Sequence, residues 1–367
     1  MARVAAMDAV NLHEDAVVVD AHNDLPVLLL MREREFGRDG SQAYWRDHWI
    51  PQARAGGVNV QVLPVYNAPS EAEASLRKTL LQIEALEREA AKTPDVALCR
   101  TGTEIDAALA DGRIALLLAL EGTPGVGTDV ELFAVLHRLG IRMASFTHWA
   151  RAALADGTAD EDARSRLPAV GVAALRELDR LGIILDVSHL AAPAVDHVLE
   201  LATRTIIASH SSCRALCDHH RNLSDEHLRA IAATGGVIGI NVLPFFIDPQ
   251  KPTLDRVVDH LEHAAEVAGA DHVGLGPDFI KQYVDEVYAS RERYAPLGGF
   301  DLKQAIPGLA GTRDLPNLTE RMLARGWAEA DVRKVLGENL LRAMAQLESV
   351  ARRGGSISGQ GSLKKIK

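Results

Sequence analysis

Short apolar runs alternate with helix-like segments along most of the chain. Eight runs are rich in Val, Ile and Leu and nearly continuous in apolar character, at residues 16–22, 57–66, 114–122, 140–148, 182–189, 205–211, 236–242 and 271–278. Runs of this kind are typical of strands buried on both faces of a parallel sheet. Between them, amphipathic helices are predicted over residues 70–92, 130–140, 171–182 and 224–236, the last with Ser224 as its N-cap.

About eight β-then-α units predict an α/β fold, a (β/α)₈ barrel of the TIM type. A doubly wound sheet is the competing fold, although it does not need eight strands. Residues 281–320 interrupt the pattern with Pro and Gly and predict a long loop or lid, and residues 319–350 predict one or two closing helices. We therefore expect one barrel domain over residues 1–350 and a flexible tail over residues 351–367.

Composition narrows the class of protein. The chain has 367 residues, a net charge of −10 and no basic stripe, which argues against a nucleic-acid partner. Its longest apolar run, IALLLAL, is too short to span a bilayer, and no signal peptide opens the chain, so we expect a soluble, cytoplasmic protein without a membrane partner. Three cysteines are too few for a disulfide framework, so reduced thiols are expected.

Polar side chains of the kinds that bind metals follow the predicted strands. The active site of a barrel lies at the carboxyl ends of its strands. Four of the fourteen histidines fall at these ends, together with three carboxylates; the full set is His22, Asp24, Glu121, His148, His189, His210 and Asp278. His22 and Asp24 are two residues apart, so strand alternation would point them in the same direction and let them chelate one ion.

Imidazole and carboxylate groups from separate strands suit zinc or a similar divalent metal. Two such ions could share a hydroxide that is nucleophilic at neutral pH, with Glu121 as the bridging carboxylate. A carboxylated lysine is excluded as the bridge because no lysine occurs between Lys92 and Lys251. We therefore expect two Zn²⁺ ions per chain, bridged by Glu121 and a hydroxide.

Each candidate ligand also has a purely structural explanation. A buried histidine is usually hydrogen-bonded, Asp24 could cap a helix that begins near Leu25, and Glu121 could belong to a turn. Together these explanations require four or five coincidences at one end of the barrel, so the metal cluster is preferred. Asp20 and Asp186, which the pattern places inside strands, are expected to orient the ligating histidines because unpaired buried carboxylates are costly.

The segment CDHHRN, residues 217–222, carries a further candidate. The guanidinium of Arg221 could bind a substrate carboxylate with two hydrogen bonds, or it could form an ordinary surface salt bridge. His219 and His220 in the same segment are expected to be exposed. A metal site built on Cys213 and Cys217 is a weak alternative because it lacks two further ligands.

Several stretches in order resemble those of the membrane (renal) dipeptidase family, peptidase family M19, whose members are zinc peptidases on an amidohydrolase-type barrel. They are VVDAHNDLP, LALEG, FTHW, LGIILDVSHL, IIASHSS, DHVGLGPDF and RGWAEADVRKVLGENLLR, spanning about Val17 to about Met344. The resemblance implies that one zinc is held by His22 and Asp24 and the second by His189 and His210, with Glu121 bridging them.

The resemblance also assigns the remaining roles. It implies that His148 contacts the scissile carbonyl, that Arg221 binds the terminal carboxylate of the substrate with Asn222 beside it, and that Asp278 transfers the proton. With the bridging Glu121, His148 and Asp278 are then the catalytic residues. The predicted function is hydrolysis of dipeptides with a free C-terminal carboxylate, with L,D-dipeptides among the candidate substrates. A homodimer is expected from the family alone.

One departure from the family pattern keeps an alternative open. The usual Asp-Phe-Asp-Gly at the eighth strand reads Asp278-Phe279-Ile280-Lys281 here, after Pro277, so the second carboxylate is lost. A related metal hydrolase acting on another amide, such as a deacylase, a lactamase-like enzyme or a biosynthetic amidohydrolase, is therefore the nearest alternative. A metal-dependent binding protein without catalysis is a more distant one, disfavoured by the retention of Asp278.

Overall fold

Parallel strands form the centre of the protein. The computed structural model describes residues 2–67, 72–281, 301 and 303–348. The strands in this part of the chain are β1 Val18–Asp20, β2 Val58–Tyr66, β3 Val96–Cys99, β4 Ile114–Glu121, β5 Met143–Ser145, β6 Ile184–Asp186, β7 Ile206–Ile207, β8 Ile238–Ile240 and β9 Val273–Leu275.

Helices connect nearly all of these strands. They are α1 Ala2–Asp15, α2 Leu25–Tyr44, α3 Ile50–Ala55, α4 Ala72–Ala91, α5 Gly102–Ala110, α6 Leu132–Arg138, α7 Ala169–Leu181, α8 Ala192–Leu201, α9 Asp225–Ala233, α10 Pro244–Ile247, α11 Leu254–Ala268, α12 Leu315–Ala324, α13 Glu329–Arg333 and α14 Asn339–Met344. Two π-helical turns, Trp45–Trp49 and Lys334–Glu338, join neighbouring α-helices. The expected N-cap at Ser224 is present, since its side chain accepts a hydrogen bond from the backbone N–H of His227.

The sheet curls into a barrel. Parallel pairing runs in the order β1-β2-β4-β5-β6-β7, and β8 pairs with β9. A parallel bridge between Ala208 and Ile238 joins β7 to β8, and the backbone N–H of Ala21 donates to Leu275 O at 3.0 Å between β1 and β9. The eight strands of this ring are the eight predicted from the sequence, so the predicted (β/α)₈ fold is confirmed.

The sequence analysis missed one strand, β3, which lies outside the ring. It pairs with Ile114–Leu117 of β4, on the same edge that carries β5 farther along. The middle residues of β3 are only half-buried, so this four-residue strand lacks the continuous apolar run of its neighbours. Sequence patterning detects buried strands of this fold better than a short strand outside the ring.

Alternate residues of the strands belong to two apolar layers. Along β4, Leu116 and Leu118 belong to the large cluster between the strands and the helices. Leu117 and Ala119 belong to a second cluster with residues from β1, β2, β5, β6 and β7, which fills the interior of the ring. Both layers exclude water from the strands, which explains why the strand sequences are nearly continuous in apolar character.

The C-terminal segment contains more separate helices and turns than the one or two helices predicted from the sequence. The interval 319–350 contains part of α12, then α13, a π-turn, α14 and a 3₁₀ turn, Ala345–Glu348. Half of the predicted lid, residues 282–300 and 302, and all of the predicted tail over residues 351–367 lie outside the described residues. In the part of the chain that is described, no helix is both long enough and apolar enough to cross a bilayer.

Gly276 tests how tightly the barrel rim is packed. A Cβ at this position would lie 1.7 Å from Ser209 O and 3.0 Å from the Cα of His210. We expect Gly276→Ala to lower the free energy of unfolding by about 3 kcal/mol or more, because the clash is with backbone that cannot rotate away. Urea denaturation would measure this loss of stability, with Gly112→Ala as the control. Gly112 has open space around it, so its substitution adds only the strain of its positive φ of 68°, about 1–2 kcal/mol. Equal losses in the two variants would contradict the prediction.

Candidate metal centre

The predicted site residues meet at one rim of the barrel. Glu121 is the last residue of β4, and four other strands end three residues before a site side chain; these four side chains are His148, His189, His210 and Asp278. The predicted strands ran through these residues, and that boundary was wrong. The side chains sit instead on the loops that follow the strands, where the backbone is free to turn toward the barrel axis.

Side chains at the strand ends make these turns. Asp20 Oδ1 accepts a hydrogen bond from the backbone N–H of His22 at 3.0 Å, and Asp186 Oδ1 accepts one from Ser188 at 2.9 Å. Asn241 makes the same turn with the N–H of Leu243. Such Asx turns reverse the chain direction locally. His22 and Asp24 therefore lie beyond β1, and strand alternation does not explain their convergence. The structural alternative for Asp24 fails as well, because its side chain makes no capping hydrogen bond at the start of α2.

One oxygen of Glu121 is the centre of the site. Its Oε1 lies 2.9 Å from His189 Nε2 and 3.7 Å from His210 Nε2. The Nε2 atoms of His22 and His148 lie 3.7 Å and 3.8 Å from the same oxygen. Four imidazole nitrogens therefore surround one buried carboxylate oxygen.

Two further carboxylates complete the cluster on the side of His22. His22 Nε2 lies 3.9 Å from Asp24 Oδ1 and 4.0 Å from Asp278 Oδ1. The other oxygen of Asp278 accepts a hydrogen bond from the side-chain amide of Asn241 at 3.1 Å. Asn241 thus fixes the orientation of Asp278 relative to the histidines.

The backbone is strained at two of these positions. His189 has a φ of 72° and Asp278 a φ of 55°, values that side chains other than glycine rarely adopt. Gly122, after Glu121, has a φ of 76°, and a Cβ there would lie 3.2 Å from the backbone nitrogen of His148. Strain of this kind is tolerated where side-chain position matters more than stability.

Asp186 and Ser209 orient His210 through a chain of hydrogen bonds that ends at Nδ1, the ring nitrogen that does not face Glu121. Its Nδ1 lies 2.7 Å from the hydroxyl of Ser209, and that hydroxyl bonds the carboxylate of Asp186. With Ser209 donating to Asp186, the Nδ1–H of His210 donates to Ser209 and leaves the Nε2 lone pair free toward Glu121. The expected role of Asp186 is thus exerted through Ser209, whereas Asp20 acts on the backbone of His22.

Burial displaces the protonation equilibria of the cluster. Burial first, and then Arg221 and His148, lower the pKa of His22 to about 3, so its ring is neutral at neutral pH. Burial raises the pKa of Asp24 to about 6, and burial together with Asp24 raises that of Asp278 to about 8. The pKa of Glu121 is raised well above its usual range by burial and by the negative charges of Asp24 and Asp278.

This donor set fits divalent cations. The Nε2 atoms of His189 and His210 lie 2.8 Å apart, each directed at the other, and Asp24 Oδ1 is buried without a hydrogen-bond partner in the described part of the chain. Three groups of ligand atoms each fall within 4.8 Å: His22, Glu121 and His210; Glu121, His148 and His189; and His22, Asp24 and Asp278. Neutral imidazoles and carboxylates are the ligands that zinc and similar metals take in enzymes.

The comparison with known families identifies the chain. The sequence model of the membrane dipeptidase family, peptidase family M19, matches residues 7–292 and 297–358. The chain belongs to this family. It is therefore a metal-dependent dipeptidase, and the family predicted from the sequence motifs is confirmed. The dipeptidase is also 29% identical over 358 residues to dipeptidase verJ from Clonostachys rogersoniana, a match that covers 94% of this chain and 87% of that protein.

Solved structures show the same fold. A metallopeptidase from Rhodobacter sphaeroides, liganded with a phosphinate mimic of L-Ala-D-Ala, has a TM-score of 0.77 and 24% identity, covering 91% of this chain and 100% of that one. The probable dipeptidase PvdM from Pseudomonas aeruginosa has a TM-score of 0.79 and 20% identity, covering 95% of this chain and 100% of that one. At these identities the likeness concerns the fold.

Arg221 of the dipeptidase is buried beside the cluster, so the surface salt bridge considered above is excluded. Its Nη2 donates to His210 O at 3.1 Å and lies 3.3 Å from His189 Nε2, while Nη1 lies 3.4 Å from Ser211 Oγ. Its Nε is buried without a hydrogen-bond partner among the described residues. The guanidinium is thus held in place with its Nε–H still available as a donor.

The residues next to Arg221 in the sequence do not all lie where they were predicted to lie. The amide nitrogen of Asn222 donates to Cys217 O at 2.8 Å and to Phe246 O at 2.9 Å, which anchors the loop. Its part in substrate binding stays a prediction. His219 and His220 are half-buried rather than exposed, because their rings pack against aromatic neighbours.

Two residues of the rim were missed by the sequence analysis. Asn241 follows β8 and orients Asp278, and Tyr66 ends β2 with its ring 4.4 Å from that of His148, measured between centroids. Neither residue type is a usual metal ligand, so a search for ligand chemistry passes over both. The signal was positional: each stands at the carboxyl end of a ring strand.

We expect the dipeptidase to release protons when it binds a cation such as Zn²⁺. The histidines of the cluster are already neutral and have no proton to release. The raised pKa values of Asp24, Glu121 and Asp278 keep these carboxyl groups protonated at mildly acidic pH. A cation must therefore displace the carboxyl protons when it binds. The apparent affinity should therefore fall about tenfold or more per pH unit below pH 6. Calorimetry of the metal-free protein at pH 5.5, 6.5 and 7.5, in buffers of different ionisation enthalpy, measures both quantities. An affinity independent of pH would contradict the prediction.

Proposed function

We propose that this enzyme holds two zinc ions bridged by Glu121 and hydrolyses dipeptides that end in a free carboxylate. The observation that carries the proposal is the position of Glu121 Oε1, which lies 2.9 Å from His189 Nε2 and 3.7 Å from the Nε2 atoms of both His210 and His22, with Asp24 Oδ1 3.9 Å from His22 Nε2. A single carboxylate between two ligand pairs is the arrangement that a bridged pair of ions requires.

Two zinc ions in this site would lower the pKa of the attacking water and polarise the peptide carbonyl. The protein groups around them supply the remaining chemistry. His148, whose side chain is 31% exposed, is the histidine of the cluster most open to a substrate. We assign it to the carbonyl oxygen, where a hydrogen-bond donor stabilises the charge that develops in the transition state.

Asp278 is our candidate for proton transfer. It is buried, it is oriented by Asn241, and burial raises its pKa to about 8. A carboxyl group held in a fixed orientation beside the candidate metal ligands can accept a proton from the attacking water and deliver it to the leaving amine. Its Oδ1 lies 4.0 Å from His22 Nε2, so the carboxyl group is beside the candidate metal ligands.

Arg221 supports the preference for a free carboxylate. No carboxylate oxygen lies within 4 Å of its guanidinium among the described residues, although the side chain is buried. Asp278, Glu121 and Asp186 attract this buried cation from beyond that distance, and the C-terminal carboxylate of a substrate would supply a direct partner through charge-assisted hydrogen bonds. An N-acyl amino acid carries the same carboxylate, so such compounds belong in the substrate tests.

The metal content tests the dinuclear site. We expect about two zinc ions per chain in the wild type and about one in His22→Ala and in His189→Ala, because each variant removes one ligand of one ion. Elemental analysis of the purified proteins measures this. His137→Ala, on the outer helix α6, is the control and should keep the wild-type content. One ion or none in the wild type would remove the proposal.

The role of Arg221 has a separate test. We expect Arg221→Met to lower kcat/KM for Ala-Ala by about 100-fold, since a charge-assisted pair is lost while the side-chain volume is retained. The substrate panel contains L,L- and L,D-dipeptides, dipeptide amides and N-acetyl amino acids. Arg214→Met, which removes a half-buried arginine paired with Glu161, is the matched control. Turnover of N-acetyl amino acids but of no dipeptide would instead favour a deacylase.

A further inference from the structure

An aromatic surface lies beside Arg221 and is not needed for metal binding. The guanidinium carbon of Arg221 lies 5.4 Å from the ring centroid of Phe246, and the rings of Phe246 and His219 are 4.8 Å apart. Trp149 lies 6.5 Å from His219, again between centroids. We call Phe246, His219 and Trp149 the aromatic wall.

The wall is attached to the rim at both ends. Trp149 follows His148 directly, and His219 Nδ1 accepts a hydrogen bond from the backbone N–H of Arg221 at 3.1 Å. Burial, and then His220, lower the pKa of His219 to about 4, so its ring is uncharged at neutral pH. The wall therefore presents neutral aromatic groups next to a fixed cation.

An apolar cluster continues the wall. Leu243, Phe245 and Phe246 form a buried cluster on and before α10, and Ile280 packs against it. Ile280 therefore adds an apolar side chain, rather than a charged one, to the neighbourhood of Phe246.

From this placement we propose that the aromatic wall is the subsite for the C-terminal side chain of the substrate and that it selects a bulky apolar or aromatic residue there. The inference rests on the proposed function, because Arg221 must hold the terminal carboxylate. That carboxylate and the C-terminal side chain share one Cα, so a carboxylate on Arg221 brings the side chain within reach of Phe246, His219 and Trp149. Water released from the partly exposed rings of Trp149 and His219 then favours large apolar side chains.

The test compares Ala-Phe with Ala-Gly, using both enantiomers of phenylalanine. We expect wild-type kcat/KM for the better Ala-Phe isomer to exceed that for Ala-Gly by about 20-fold or more, in the range that hydrophobic pockets provide. In Trp149→Ala this ratio should fall about tenfold, and Phe246→Leu should lower it as well. Phe36→Ala, which truncates an exposed phenylalanine on α2, is the matched control. Zinc content and circular dichroism verify that each variant retains its site.

A second measurement separates this inference from the proposed function. Binding of free phenylalanine and of alanine to the zinc-loaded protein is titrated directly, without any turnover. Tighter binding of phenylalanine that is lost in Trp149→Ala supports the subsite even if no dipeptide is hydrolysed, an outcome that would remove only the proposed function. Hydrolysis of dipeptides with equal kcat/KM for Ala-Gly and Ala-Phe, or an unchanged ratio in both wall variants, would overturn the subsite.

Discussion

The parallel pairing of the ring strands is the constraint on which the site depends. Because every ring strand runs in the same direction, their carboxyl ends lie at one rim, and the register makes those ends level. Tyr66 at the end of β2 pairs with Glu121 at the end of β4, which in turn pairs with Ser145 at the end of β5. Residues far apart in sequence therefore reach one centre without long side chains. The metal centre follows from the closed ring together with short loops of fixed length.

That convergence has an electrostatic cost. Asp24, Glu121 and Asp278 approach one another in a buried site, and their pKa values rise because negative charge is unfavourable there. Cations relieve this repulsion, so the free energy of metal binding also offsets part of the cost of gathering the ligands. The positive φ angles of His189 and Asp278 have the same interpretation, since the fold tolerates local strain to direct these side chains inward.

The sequence was most predictive for residue types that have one strong physical preference, such as the preference of apolar residues for burial. Continuous apolar runs located the eight ring strands, and histidines and carboxylates after those runs located the candidate ligands. The strand ends were placed too late, because Asp20, Asp186 and Asn241 begin Asx turns that a hydropathy pattern does not register. Ser209 and Tyr66 were missed for a related reason. A serine or tyrosine has many structural roles, and only the three-dimensional arrangement shows that Ser209 connects Asp186 to His210.

The candidate metal centre and the proposed subsite lie on different parts of this fold. The candidate ligands follow ring strands whose positions are fixed by two apolar layers, so the candidate metal centre cannot shift without disturbing the barrel. Phe246 and Ile280 belong instead to a small separate cluster around α10. Arg221 connects the two regions, because it bonds the backbone of His210 on one side and faces Phe246 on the other. Under the proposed function, Arg221 would hold the terminal carboxylate of the substrate between the candidate metal centre and the aromatic wall. A change in the wall would then alter the preferred C-terminal residue without altering a candidate metal ligand, because no wall residue belongs to the ligand set.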